Sequence, residues 1–314
     1  GWFSAVYLNL CFFAEQGTLP DTQSDIYEMF FNALIDPLSP QRQEFLAVMG
    51  LADEFSAEMG RFITEDPETN QTLAALTEQN AFVTRLSDGV TFRFHHMMKA
   101  CAERAFAQLD VSKQNAYRSR YGDWYQAHQQ YLYALDAYQA CGNYDAALQV
   151  IQADAGILLA ALKPETVLVF LVRCPKTVLQ EHPLTILVLM RRMFTWRQIP
   201  KMMELKGLLE DAIRTHPEWP EEERGNLLGE RDLILSSLMY NDITEMSRLH
   251  RSASAQMSRP AVSIRNEGSW TFGSPSVLMM FHREPEALDK VLAEMNDCMP
   301  HYYKLAQGHG HGAE

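Results

Sequence analysis

The side chains best suited to chemistry are histidines. His95 and His96 follow an aromatic run, Phe92 and Phe94, and stand where a helix opens. An imidazole there could face a ligand phosphate or a metal, or could simply face solvent or pack. His309 and His311, separated by Gly310, resemble a metal tract. Alternating glycine supplies no preformed geometry and no third or fourth ligand, so a loop is the plainer reading and no metal site is expected. The five cysteines (Cys11, Cys101, Cys141, Cys174, Cys298) are odd in number and widely spread, and they form no Cys-x-x-Cys pair. That distribution favours reduced thiols in a cytoplasm over a disulfide framework or a zinc cluster. The sequence contains no Gly-x-x-x-x-Gly-Lys-[Ser/Thr] loop, no Gly-x-Ser-x-Gly and no His-Glu-x-x-His. Without the first, this stretch cannot hold and hydrolyse a nucleotide unaided, and no catalytic residue is expected in it.

The elements that must position these histidines are helical. With 314 residues, 47% of them apolar and 21% charged, the chain has the composition of a globular protein of about two domains or one extended array. A formal charge of -13 repels phosphate backbones and anionic headgroups. The longest apolar runs, Thr166 to Val172 and Ile186 to Met190, are far shorter than the roughly 20 residues a membrane helix needs. The uncharged stretch Gly1 to Ala14 lacks the initiator Met and basic flank of a signal peptide. A start at Gly1 and a stop at Ala313-Glu314 suggest an excerpt from a longer protein.

Ile26, Phe30, Ala33 and Leu34 recur at helical spacing. Ser39-Pro40 then caps a helix over Gln41 to Met49. Two short helices follow, Ser56 to Ile63 and Thr69 to Gln79. A hairpin signal comes next: Phe82 to Leu86, a Ser87-Asp88-Gly89 turn, and Val90 to Phe94, where Val90, Phe92 and Phe94 alternate with Thr91 and Arg93. A helix from about Met97 to Leu109 closes the set. This is the element order of a winged helix, although pattern alone fits equally an α-helical domain that carries a hairpin.

From Lys113 the texture changes. Tyr117, Tyr121, Trp124 and Tyr125 fall at i, i+4, i+7 and i+8, a packing seam between antiparallel helices rather than a stacking surface for a ligand. Tyr133 to Ala147 reads as helix, Gly142-Asn143 turn, helix, which is the grammar of tetratricopeptide-like repeats. Further helices are predicted from His182-Pro183 to about Arg197, Lys201 to Thr215, Trp219-Pro220 to about Tyr240, Ile243 to Met257, and Glu286 to Met299. Ser258 to Ser276, rich in Gly, Ser and Pro, interrupts the series. The openings near 182 and 220 are about 38 residues apart, within the roughly 34 to 47 of helical repeats, so the hairpins should stack into a solenoid.

Electrostatics weighs a DNA-reading role for the wing. Between Pro20 and Asp110 six basic residues (Arg42, Arg61, Arg85, Arg93, Lys99, Arg104) face fifteen acidic ones, a net of -9. The helix in the recognition position, Thr69 to Gln79, holds no Lys or Arg and contains Glu78. Because duplex affinity depends on phosphate neutralisation, direct nucleic-acid binding is not expected.

These features together resemble the middle of the MalT-like LuxR-family transcriptional activators, signal-transduction ATPases of the STAND class. The resemblance is carried by Gly1-Trp2 leading into an apolar helix and by Leu73 to Phe94, with Leu76-x-x-x-Asn80-x-Phe82 ahead of the wing. It also rests on the aromatic-His95 junction and on Trp124 followed by Ala134, Ala137, Gly142 and Ala146-Ala147. It extends loosely over the whole chain, including Gly273 to Ser276 and the His-Gly-rich end.

Such a resemblance implies an all-α chain: a winged-helix domain with one small β-hairpin followed by a TPR-like α-helical superhelix. It divides the chain into residues 1–17, the helical tail of a nucleotide-binding module; 18–110, the winged helix; 111–155, a helical arm; and 156–314, a repeat sensor incomplete at its C-terminal end. It implies that His95 contacts the phosphates of ADP in the resting state. Where the family continues with Pro-Leu, His96-Met97 stands here. The cofactors, ADP and ATP, would belong to the parent protein and none to this stretch.

The implied function is the regulatory and sensor portion of an ATP-dependent transcriptional regulator. A small-molecule or protein effector would bind the repeats, the nucleotide-binding domain would be the intramolecular partner, and the activated parent would self-assemble. The alternative is a free-standing TPR-like scaffold that binds a partner protein. A metal hydrolase built on His95 and His96, or on the terminal histidines, has the least support.

Overall fold

A chain this rich in capped amphipathic segments folds as helices, and the computed structural model of the protein is all-α with one small sheet. The structure describes residues 6, 10, 12–14, 17, 31–32, 35–78, 82–239, 242–265 and 284–309. The readings made on Gly1 to Gly17, on Ile26 to Leu34 as a helix, on Asn80, on Gly273 to Ser276 and on His311 fall wholly or mostly outside those residues. The chain divides into two units, Gly1–Gly142 and Asn143–Glu314.

In the first unit, α1 spans Pro40–Met49. Ser39 caps it by accepting the Arg42 amide, and Pro40 occupies the first turn, where its missing N–H costs no hydrogen bond. β1 is the two-residue strand Phe55–Ser56, and α2 follows at Ala57–Thr64, capped by the Ser56 hydroxyl. α3 is Thr69–Glu78; β2 and β3 are Val83–Arg85 and Thr91–Phe94; α4 is His96–Gln108.

The hairpin register pairs Val83 with Phe94 and Arg85 with Phe92. Its turn is closed by Asp88, which accepts the Val90 and Thr91 amides at 3.0 and 2.9 Å. The sheet has three strands in the order β1-β3-β2, because Phe55 and Ser56 pair antiparallel with Phe92 and Thr91. A hairpin alone was expected; the third strand is too short to show any alternation in sequence. Helix, strand, helix, helix and hairpin make up a winged helix. Phe45, Leu46, Ile63, Leu73, Leu76, Phe92, Phe94, Met98 and Phe106 are buried in its core.

α5 (Val111–Ala127) and α6 (Tyr131–Cys141) complete this unit as an antiparallel pair. The aromatic seam is core, as expected, but it does not lie wholly between antiparallel helices: Tyr125 meets Tyr133 of α6 at 5.3 Å, whereas Tyr117 and Tyr121 reach α1. Tyr121 is buried and donates to the Val48 carbonyl at 2.9 Å, while Tyr117 donates to the Glu44 carboxylate at 2.8 Å. The ring of Tyr138 lies directly on the backbone of Gly122, where a Cβ would sit only 2.4 Å from the ring.

The second unit begins with α7 (Tyr144–Ala153), capped by Asn143 through the Ala146 amide, and a short 3₁₀ turn at Leu158–Ala161. Then come α8 (Pro164–Arg173), α9 (Lys176–Gln180), α10 (Pro183–Thr195), α11 (Ile199–Thr215), α12 (Glu221–Ser236), α13 (Ile243–Gln256) and α14 (Leu288–Leu305). α10 packs on α11, α12 on α13, and α13 on α14. Polar bonds stitch the pairs: Thr185 to the Leu148 carbonyl, Arg231 to Glu210, and the buried Asp232 to Ser252 and Gln256. α14 continues through Pro300 to Leu305 instead of stopping at Met299. Burial of Tyr302 and Leu305 sustains the extra turn despite the amide donor that proline lacks.

Candidate functional site

His95 ends β3 and is itself the cap of α4. Its extended backbone (φ -59°, ψ 145°) places Nδ1 3.4 Å from the Met97 amide, which donates to it, and its own amide donates to the Phe82 carbonyl at 2.7 Å. A ring nitrogen that accepts a backbone N–H carries no proton, so the neutral imidazole is protonated on Nε2, the tautomer that donates toward an anion. The ring lies against Phe82 (5.6 Å between centroids) and His96 (4.1 Å). Partial burial, and then the neighbouring His96, hold the His95 pKa below the ordinary imidazole value. It therefore stays neutral near pH 7. Neutral or not, it stands over the first turn of α4, whose unpaired amides and dipole favour negative charge. His96 is exposed on that same turn.

The cations near this junction are already engaged. Arg93 is ion-paired with Glu54 and Lys99 with Asp53. On α3, in the recognition position, Thr69, Thr72, Leu73 and Leu76 face the core, leaving Asn70, Gln71, Ala74 and Glu78 exposed. The wing tip presents Asp88, whose carboxyl is held below the usual range by hydrogen bonds from Thr91 and Val90.

The other predicted histidine behaves differently. His309 is fully buried, and both ring nitrogens have partners: the Arg191 guanidinium at 3.3 Å and the Tyr302 hydroxyl at 2.9 Å. Guanidinium only donates, so Nε2 accepts from Arg191 and Nδ1–H donates to Tyr302. The ring is a structural clamp joining α10 to the end of α14. Among the described residues no group of three or more His, Cys, Asp or Glu could hold a metal. No helix among them is long and apolar enough to cross a membrane. Residues the sequence reading passed over, Arg191, Arg192, Ser263 and Arg265, border an opening in the second unit. The only hint of them in sequence was a pair of adjacent arginines in an acidic chain.

The first unit is thus a winged helix followed by an antiparallel helix pair. Residues 31–114 match the family model of the MalT winged helix domain, which makes this part of the chain a winged helix of the MalT type. No curated protein and no solved structure matches the chain.

Proposed function

We propose that the chain is the regulatory and sensor portion of an ATP-dependent transcriptional regulator of the LuxR family and STAND class. In this reading the helix pairs of the second unit are TPR-like repeats that take up an effector and relay its presence to a nucleotide switch. The observation that carries the reading is the match of residues 31–114 to the MalT winged helix domain.

Electrostatics supports it. With no cation on α3 and a carboxylate at the wing tip, this winged helix is suited to contacts within a protein rather than to gripping a duplex. His95, capping α4 with Nε2–H as its donor, has the chemistry to hold a nucleotide phosphate in the resting state. The activity would reside in a parent ATPase, with ADP and ATP as its cofactors, and not in residues 1–314.

The test is His95→Ala in protein carrying the nucleotide-binding module. Loss of one phosphate hydrogen bond should weaken ADP retention by roughly tenfold or more and raise basal transcriptional activity. Unchanged ADP affinity overturns the assignment of His95.

A further inference from the structure

In the second unit a cavity of about 540 Å³ opens between three segments: the turn at residues 155–160, one face of α10, and residues 263–265. Val188, Arg191, Arg192 and Thr195 line it at i, i+3, i+4 and i+7, a single helix face. Opposite stand Ala155, Ile157 and Ala160, an apolar wall. The volume lies within the range of small-molecule sites and is far larger than a bare oxyanion requires.

Charge sets this cavity apart from the rest of an acidic chain. Elsewhere in the same unit Arg214, Arg231, Arg248, Arg251 and Arg259 are paired with carboxylates, and Arg173, Arg197 and Arg224 are not, among the described residues; what is particular to the cavity is that three arginines converge on it. Among the described residues no carboxylate lies within ion-pairing distance of Arg191, Arg192 or Arg265, and none lines the opening.

Two of the three guanidiniums are fixed in place. His309 accepts from Arg191. Arg192 donates to the Gly156 carbonyl at 2.9 Å and lies 5.6 Å from the Trp196 ring. Burial, and then the adjacent charge of Arg191, push the Arg192 pKa down.

Gly156 is required here. Its φ of +74° and a would-be Cβ only 2.4 Å from Val188 Cγ1 leave room for no other residue. A second, independent observation points to a ligand. Ser263 is only 6% exposed and borders the cavity, and its Oγ has no hydrogen-bond partner, while its amide is fixed by the buried Glu230 at 2.6 Å. A buried hydroxyl without a partner is costly, and beside a cationic opening an acceptor that enters and shifts it would supply the bond the fold leaves unmade.

We propose that this cavity binds an organic phosphate, its phosphoryl group seated among Arg191, Arg192, Arg265 and the Ser263 hydroxyl and its body against Ala155, Ile157 and Ala160. Three cations suit a dianion better than a monocarboxylate, and the apolar wall requires an organic body. The site stands whether or not the chain acts as a sensor.

Calorimetry on residues 1–314 at low ionic strength tests it, with phenyl phosphate as probe and benzoate and inorganic phosphate as controls. Phenyl phosphate should bind at least tenfold tighter than either control and weaken as salt rises. Arg265→Gln, at an exposed and unpaired side chain, and Ser263→Ala should each weaken binding by at least tenfold. Ser263→Ala should also leave the melting temperature of the free protein unchanged or higher, since the hydroxyl it removes is unsatisfied. Absence of phenyl phosphate binding, equal binding of inorganic phosphate or benzoate, or unchanged affinity in both variants overturns the proposal.

Discussion

His250 is buried on α13, its Nε2–H donating to the Ser236 hydroxyl at 3.1 Å and its ring 5.0 Å from that of Tyr302. Desolvation drives its pKa down to about 3. In the unfolded chain the same imidazole titrates near its ordinary value, so below about pH 6.5 the unfolded state binds a proton that the native state refuses. Stability contributed by the neutral ring is complete above that pH and is lost as pH falls toward the folded value. Between pH 6.5 and 5 the loss should amount to about 2 kcal/mol. Urea denaturation at the two pH values should show a smaller loss in His250→Gln by about that amount. At this scale sequence legibility is uneven. The place of His95 between strand and helix could be read because its strand, its helix and its own position are contiguous. The arginine cavity could not, since α10 meets Ser263 and Arg265 only through the tertiary fold, some 70 residues further along the chain. His309 read as part of a loop and does lie in the turn after α14, but its burial was not legible, because Tyr302 and Arg191 reach it from α14 and α10.

Among the elements, β1 shows how little sequence a structural part can occupy. Phe55 stacks on Phe92 (6.0 Å) and meets Phe94 edge-on (5.2 Å), so this two-residue strand adds a large ring to the core as well as its backbone bonds to the sheet. Phe55→Ala should destabilise the first unit by about 3–5 kcal/mol, measured as a shift in its urea midpoint with little change in slope. The helices were legible because caps and periodicity repeat over many residues: Ser39-Pro40, Asn143 and His182-Pro183 mark their starts to within a residue or two. Where a boundary depends on burial instead, local rules fail. α14 passes Pro300 because the residues beyond it are held in the core.

Over the whole molecule, charge and fold act together. A winged helix invites the expectation of DNA binding, while a net charge of -13 opposes it. Residues 1–314 should give no change in the fluorescence anisotropy of a labelled duplex as salt is lowered. An affinity that climbs steeply toward low salt would show phosphate contacts that the acidic surface is argued to forbid. The sealed thiols have a separate use. Cys101 in the first unit, and Cys174 and Cys298 in the second, are buried, and burial raises each pKa to about 11. Alkylating reagents attack only ionised, accessible sulfur, and roughly one in a thousand of such groups is ionised at pH 8. Modification must therefore wait for the surrounding helices to part. Peptide-resolved mass spectrometry of the rate at Cys101 against that at Cys298 would time the opening of each half separately, making native cysteines the clocks of this protein's breathing.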